Sequence, residues 1–260
     1  MASTRFTGPI LYSGGGSDSK GFGSWFKNLP IQVNPDYIFK SDDFVGVDID
    51  GTNDWTRQVL NSGTITLLGD HVGGWAKSTG DGSTDNSGGS IQGNEIFMAE
   101  ASKNIFFEAR VAVADADDMD MFVGLAENGT FATGVPFTAN NQIGFLLVEG
   151  AADIYANCDS GGTETKTDTG IDFADGAESS SNITNSRRLG FIVKGTGEVE
   201  FYVDRVKVTT TTSSTSIPTS ALTPWFCAMS GTTTADAAWC DYIAIAGQRV
   251  TDGMTNYVWS

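Results

Sequence analysis

The side chains best able to do chemistry in this sequence are acidic, and their spacing decides what that chemistry could be. Glu198-x-Glu200 puts two carboxylates on one face of a strand, because residues i and i+2 share a face. Glycoside hydrolysis uses such a pair, about 5–5.5 Å apart for retention of configuration and further apart for inversion. Tyr202 extends the same row, so a solvated strand face is the expected reading. The E-x-D-x-x-E strand of sandwich glucanases occurs nowhere. His71 is the sole histidine, which excludes multi-histidine metal sites. Asp70, its neighbour in the chain, cannot serve as the orienting acid of a Ser–His–Asp triad from an adjacent strand position. His71 is therefore expected on a turn or the surface. No GxxxxGK[ST] or strand-bound GxGxxG is present, and Gly14-Gly-Gly16 lacks the following helix that phosphate capture requires. A chain without catalysis is the expectation.

Two acidic clusters could instead hold a hard cation. Asp115, Asp117, Asp118 and Asp120 crowd one short segment, and Asp48-x-Asp50-Gly-x-Asn53-Asp54 forms another. Clustered oxygens suit calcium, but neither segment has the EF-hand spacing of glycine and terminal glutamate. Aspartate is also common in solvated turns. No cofactor is expected, with calcium at Asp48, Asp50 and Asp54 or at Asp115, Asp117 and Asp118 as the alternative.

The elements that must carry these residues are strands. Helical periodicity is scarce, and Gly, Thr, Ser and Asp interrupt the chain every 8–15 residues, as in antiparallel strands joined by turns. Over Asn104–Val113, Ile105, Phe107, Ala109, Val111 and Val113 face one side and Glu108 and Arg110 the other. Met119, Met121, Val123 and Leu125 alternate likewise. Gln142–Val148 is apolar on both faces, which suits a central strand covered on both sides. Leu189–Lys194, Glu198–Asp204, Val206 with Val208, Pro224–Met229 and Trp239–Ala246 complete the clear strands. Weaker ones fall near Thr64–Leu68, Glu95–Ala99, Asp153–Asn157 and Glu164–Asp168. Residues 78–93 and Thr209–Ser216 read as exposed connections. Two antiparallel sheets packed face to face is the economical architecture.

The chain has 260 residues, enough to bury roughly three quarters of its unfolded surface in one core. It divides into an N-terminal arm (1–40), a β-sandwich (41–250) and a C-terminal tail (251–260). Arm and tail are aromatic, with Phe6, Tyr12, Phe22, Trp25 and Phe26 in one and Tyr257 and Trp259 in the other. A plain flexible linker is not built this way, so these side chains are the expected anchors on a partner. Charge is 15 basic against 32 acidic residues, a net of −17, which disfavours binding to nucleic acid. No apolar run approaches the ~18 residues of a membrane span, and the N-terminus lacks the pattern of a secretory signal. Cys158, Cys227 and Cys240 lack zinc spacing and are expected as buried free thiols.

Leu189-Gly-Phe-Ile-Val-Lys194, Glu198-Val-Glu-Phe-Tyr-Val-Asp204, Pro224-Trp-Phe-Cys-Ala-Met229 and Asp241-Tyr-Ile-Ala-Ile245 together resemble the laminin-G/concanavalin A-like jelly roll. Asp42-Asp-Phe44 and Trp55 resemble its opening. The resemblance implies an all-β jelly-roll β-sandwich of two antiparallel sheets, here with an extended N-terminal arm. One departure stands out: the family hairpin reads Asp-Gly, where this chain has Asp204-Arg205. The whole chain, including Arg5-Phe-Thr-Gly-Pro9, also resembles proteins of tailed bacteriophages, in particular capsid decoration (cement) proteins. That likeness implies a virion structural protein on the outer capsid surface, assembled in the host cytoplasm. Its partners would be the major capsid protein and further copies of itself, as dimer or trimer. The alternative is a carbohydrate-binding or receptor-binding module of a fibre or tail. In that case Trp55, Trp75 and Tyr155 are the expected sugar platforms.

Overall fold

The computed structural model describes residues 37–45, 49, 55–68, 71, 74–94, 97–133, 137, 141–179 and 182–248. The expected anchors Phe6, Tyr12, Phe22, Trp25, Phe26, Tyr257 and Trp259 lie outside the described residues, as do Asp48, Asp50 and Asp54. Strands account for every regular element among those described. They are β1 (Tyr37–Asp42), β2 (Thr56–Leu60), β3 (Thr64–Leu67), β4 (Ala76–Thr79), β5 (Ser87–Gln92), β6 (Asn104–Val113), β7 (Met119–Ala126), β8 (Asn141–Val148) and β9 (Ala151–Ser160). They continue as β10 (Thr163–Asp172), β11 (Glu178–Ser179), β12 (Asn182–Ile183), β13 (Arg187–Lys194), β14 (Glu198–Val203), β15 (Val206–Thr211), β16 (Thr223–Ser230) and β17 (Ala237–Gln248).

Two large antiparallel sheets form. The eight-stranded one runs β15-β14-β13-β6-β17-β4-β3, with β1 also paired to β17; the seven-stranded one runs β10-β9-β8-β7-β16-β5-β2. β1 crosses the arm–domain boundary expected at residue 40. Alternation places Phe107, Phe191 and Phe201 of the first sheet against Phe145, Val123 and Phe226 of the second, in one core between the sheets. Phe145 meets Phe201 edge-on, with ring centroids 5.4 Å apart. Alternating burial on β14 follows the inward and outward sets expected from the sequence, whereas on β6 the outward Glu108 is buried along with the inward residues.

Two expectations need correction. Residues 78–93 are not an exposed connection, because they contain β5, which is buried along its whole length. Its sequence, SGGSIQ, reads as a loop because glycines replace the usual apolar side chains. Gly89 lies where the sheets come close: a Cβ there would sit 2.6 Å from the Thr64 carbonyl oxygen and 2.8 Å from the Ile65 Cβ. Ser78 bridges the same gap, donating to the Ala228 carbonyl (2.8 Å) and accepting from the Gly89 N–H (2.8 Å). Thr209–Ser216 is not a free connection either. β15 continues to Thr211, and the buried Ser216 accepts from Thr165 of β10 (2.9 Å). The strand expected over Glu95–Ala99 reduces, among the described residues, to a bridge between Phe97 and Leu222.

The Asp204-Arg205 hairpin keeps a tight two-residue turn without glycine. Both residues have positive φ, 49° and 70°, as a type I′ turn requires. The Asp204 carboxylate steadies this geometry by accepting from Arg187 Nη1 (2.9 Å) and the Arg188 N–H (3.0 Å).

Candidate functional site

A sheet in a two-layer sandwich ordinarily shows its second face to water, and that face is then polar. The outer face of the seven-stranded sheet departs from this. Pairing aligns Ser90, Cys227, Phe122, Leu146 and Tyr155 in one row across β5, β16, β7, β8 and β9. The adjacent row reads Gln92, Trp225, Gly124, Gly144 and Asn157, and the next sets Ala126 beside Gln142 and Asp159. Glycine at 144 gives Phe122 its place: a Cβ there would lie 2.8 Å from the Phe122 ring. Phe122, Leu146, Trp225, Cys227 and Met229 form a second apolar cluster on this face, closed from above by Phe131 and Phe137 of the β7–β8 connection.

Polar groups are trapped in this layer. Gln142, Asn157 and Trp225 are all 0% exposed. Neither the oxygen nor the nitrogen of either amide has a hydrogen-bond partner, nor do Trp225 Nε1 and Ser90 Oγ. Buried polar groups are paired in the great majority of cases, and each orphan calls for a reason. Several orphans together on one aromatic floor amount to a set of donors and acceptors prepared for a ligand. Asp159, beside Gln142, has its pKa raised by burial, against the opposing effect of the Gly162 N–H (2.9 Å). At the other end of the face, burial and the nearby Asp85 charge raise Asp120, whose carboxylate accepts the Glu149 N–H at 2.9 Å. Glu149 is raised as well, by desolvation and by the charges of Asp120, Asp85 and Asp118.

The structure sorts the residues singled out from sequence. Trp55 and Trp75 are buried, 3% and 2% exposed, and so are not sugar platforms. The Trp55 indole donates to Asp42 (2.6 Å), and the Arg110 guanidinium stacks 5.1 Å above Trp75. Tyr155 does lie on the outer face described above, half-buried, with Lys166 over its ring at 4.7 Å. Glu200 is tied into ion pairs with Lys194 (2.9 Å) and Lys207 (2.6 Å), and Glu198 with Lys194 (2.8 Å). That pair is a charged strand face. His71 sits on a turn but is buried, 7% exposed. Asp115 accepts the Asp117 N–H in a local turn (3.0 Å), and no group of three or more His, Cys, Asp or Glu among the described residues converges as a metal site. Cys158, Cys227 and Cys240 are free and buried. Sequence reasoning missed Gln142, Asn157 and Trp225; the one available signal was the amide of Gln142 at the start of a run otherwise apolar on both faces.

No protein-family model matches the sequence, and no curated protein does. Solved structures do resemble the fold. An endo-1,3-β-glucanase from Streptomyces sioyaensis aligns with a TM-score of 0.55 at 14% identity, covering 84% of this chain and 98% of its own. A Bacillus licheniformis β-glucanase gives 0.54 at 13%, covering 82% and 98%, and peanut lectin gives 0.54 at 11%, covering 83% and 99%. The expectation of a chain without catalysis, argued from absent motifs, is overturned by these neighbours, two of which are glucanases of the same fold. The chain has the concanavalin A-like jelly-roll β-sandwich shared by these glucanases and this lectin.

Proposed function

We propose that this protein binds a neutral glycan on the outer face of its seven-stranded sheet. The observation that carries the proposal is the set of fully buried, unpartnered groups on Gln142, Asn157 and Trp225 beside the Phe122 floor. Sugars present apolar C–H faces and a rim of hydroxyls, each both donor and acceptor. Aromatic rings with orphaned amides complement both features. Similarity of fold to two glucanases and a lectin favours glycan recognition over capsid decoration. Titration with neutral β-glucan oligosaccharides tests the proposal, with saturable binding expected. Absence of binding across a panel of neutral glycans at millimolar concentration would refute it.

A second reading, glycan cleavage, is carried by Asp120 and Glu149, two neighbouring carboxylates of raised pKa at the edge of the same face. Raising the pKa of a carboxyl favours its protonated form, the form a general acid needs. Asp120→Asn should abolish any release of reducing ends from β-glucan while leaving binding in place. Unchanged release would remove Asp120 from that role. Placement on a phage particle, with the arm as clamp on the major capsid protein, remains a separate proposal; its test is copy number in purified virions, which should match the capsomer count.

A further inference from the structure

Charged side chains crowd the outer face of the eight-stranded sheet, on the opposite side of the sandwich from the candidate glycan face. Pairing aligns Arg188 of β13, Arg110 of β6 and Tyr242 of β17 in one row, and Tyr202, Gly190, Glu108 and Ala244 in the next. A β-bulge in β17 sets Asp241 and Tyr242 together against Arg110, and bulges of this kind re-aim side chains. Each carboxylate here has its own partners. Asp241 accepts from Arg110 Nη1 (2.9 Å), whose Nε donates to Ser186 Oγ (2.8 Å) while the guanidinium stacks on Trp75. Glu108, 2% exposed, accepts the Tyr242 hydroxyl (2.6 Å) and pairs with Arg205 (3.6 Å), which reaches it from a hairpin turn two strands away.

Arg188 differs from these arginines. Among the described residues its guanidinium has no ion-pair or hydrogen-bond partner, and its Nε is buried. It stands directly opposite Arg110, and like charges in that position repel. Burial pushes Asp241 and Tyr242 up, and the Arg188 charge opposes both shifts, which places its guanidinium near them. In a chain with 32 acidic residues to 15 basic ones, carboxylates are plentiful, yet among the described residues none lies within ion-pair reach of it. We propose that Arg188, with Arg110 beside it, binds a carboxylate monoanion on this face. A planar guanidinium fork matches a carboxylate bidentately. One unpaired positive charge calls for one negative charge, and an anion between the two arginines removes their repulsion. Asp241, Ser186 and Trp75 hold Arg110 in place, so one side of the site is fixed on the sheet before ligand arrives.

Calorimetric titration of the intact protein with sodium acetate and, separately, with sodium glucuronate tests the site. Saturable binding at millimolar concentration is expected, weakening as salt rises. Acetate binding as tightly as glucuronate would assign the site to a bare carboxylate, and tighter binding of glucuronate would assign it to a sugar acid. Arg188→Gln should lose about tenfold or more in affinity, as expected when a charge-assisted hydrogen bond is removed. Arg188→Lys, which keeps the charge and loses the fork, should fall between the two. Without ligand, Arg188→Gln should melt at or above the wild-type temperature, since the repulsion from Arg110 is gone. A lower melting temperature would make Arg188 part of the scaffold and overturn the site. Absence of saturation with either salt, or wild-type affinity in Arg188→Gln, would overturn it as well. Binding of neutral β-glucan on the other sheet should be the same in Arg188→Gln and wild type, so the two sites stand or fail separately.

Discussion

Replacing Gln142 by methionine separates a residue kept for function from one kept for stability. Gln142 is fully buried, and its amide oxygen and nitrogen both lack partners. An unsatisfied buried polar group costs about 1–3 kcal/mol. Methionine keeps the unbranched length and removes both orphans, while a change of shape at a packed site costs less than about 1.5 kcal/mol. The net expectation is a gain of about 1–2 kcal/mol. For a domain near this size, about 2–4 °C of Tm accompanies each kcal/mol, so the melting temperature should rise by about 2–8 °C. Glycan affinity should fall in the same variant, because a hydrogen-bonding site stripped of one partner leaves a sugar hydroxyl unpaired. Thermal melts and calorimetric titrations on the same preparation read both effects. Asn157→Leu should behave alike, and the two gains should not simply add, since the residues are diagonal neighbours on paired strands. A lower Tm for Gln142→Met would refute the reasoning, because the amide would then be part of the scaffold.

Other perturbations test the scaffold around the site. Gly89→Ala places a Cβ 2.6 Å from the Thr64 carbonyl oxygen, where the two sheets nearly touch. Overpacking of this kind should lower stability by about 1–3 kcal/mol, read from denaturant midpoints. Hydrogen bonds from Lys207 and Lys194 hold the Glu200 carboxyl down to about 2. Its ion pairs therefore contribute above the ordinary value of 4.5 and are lost as pH falls towards 2. Glu200→Gln should lower stability at pH 7 by less than about 1 kcal/mol, because these pairs are partly solvated. The difference from wild type should close as pH drops through that window. Asp120 has the opposite sign. Its raised pKa means that stability is fully present below 3.8 and is lost as pH rises through the folded value. Asp120→Asn should melt higher than wild type at pH 7 and match it below pH 3.8.

Much of the sandwich was legible because its central strands alternate cleanly. β6 has the bounds that its sequence pattern predicts, and β14 differs only at its final residue. β5 was not legible, since its two glycines leave no period to read, and Gly89 serves close approach of the sheets. The Asp204-Arg205 turn shows the converse: a residue pair that looks wrong for a type I′ hairpin adopts it, because Arg187 and the Arg188 N–H anchor the aspartate. The site itself was hidden for a different reason. Gln142 and Trp225 sit in runs that look like core, and they are indeed buried. Only the register of β16, β7, β8 and β9 shows that they point away from the core between the sheets, beneath a connection whose hydrogen bonds to Gln58 span 71 and 73 residues of sequence. Such a juxtaposition is a property of topology and leaves no local pattern. Trp55 and Trp75 drew attention as sugar platforms because they flank loops, yet burial decides against them.

Glycan binding on the outer face is most directly tested by calorimetric titration of the wild type and a Gln142→Met/Asn157→Leu variant with neutral β-glucan oligosaccharides. Saturable binding to the wild type is expected, with loss of that binding in a variant that melts at or above the wild-type temperature. Equal affinity in both proteins would contradict it.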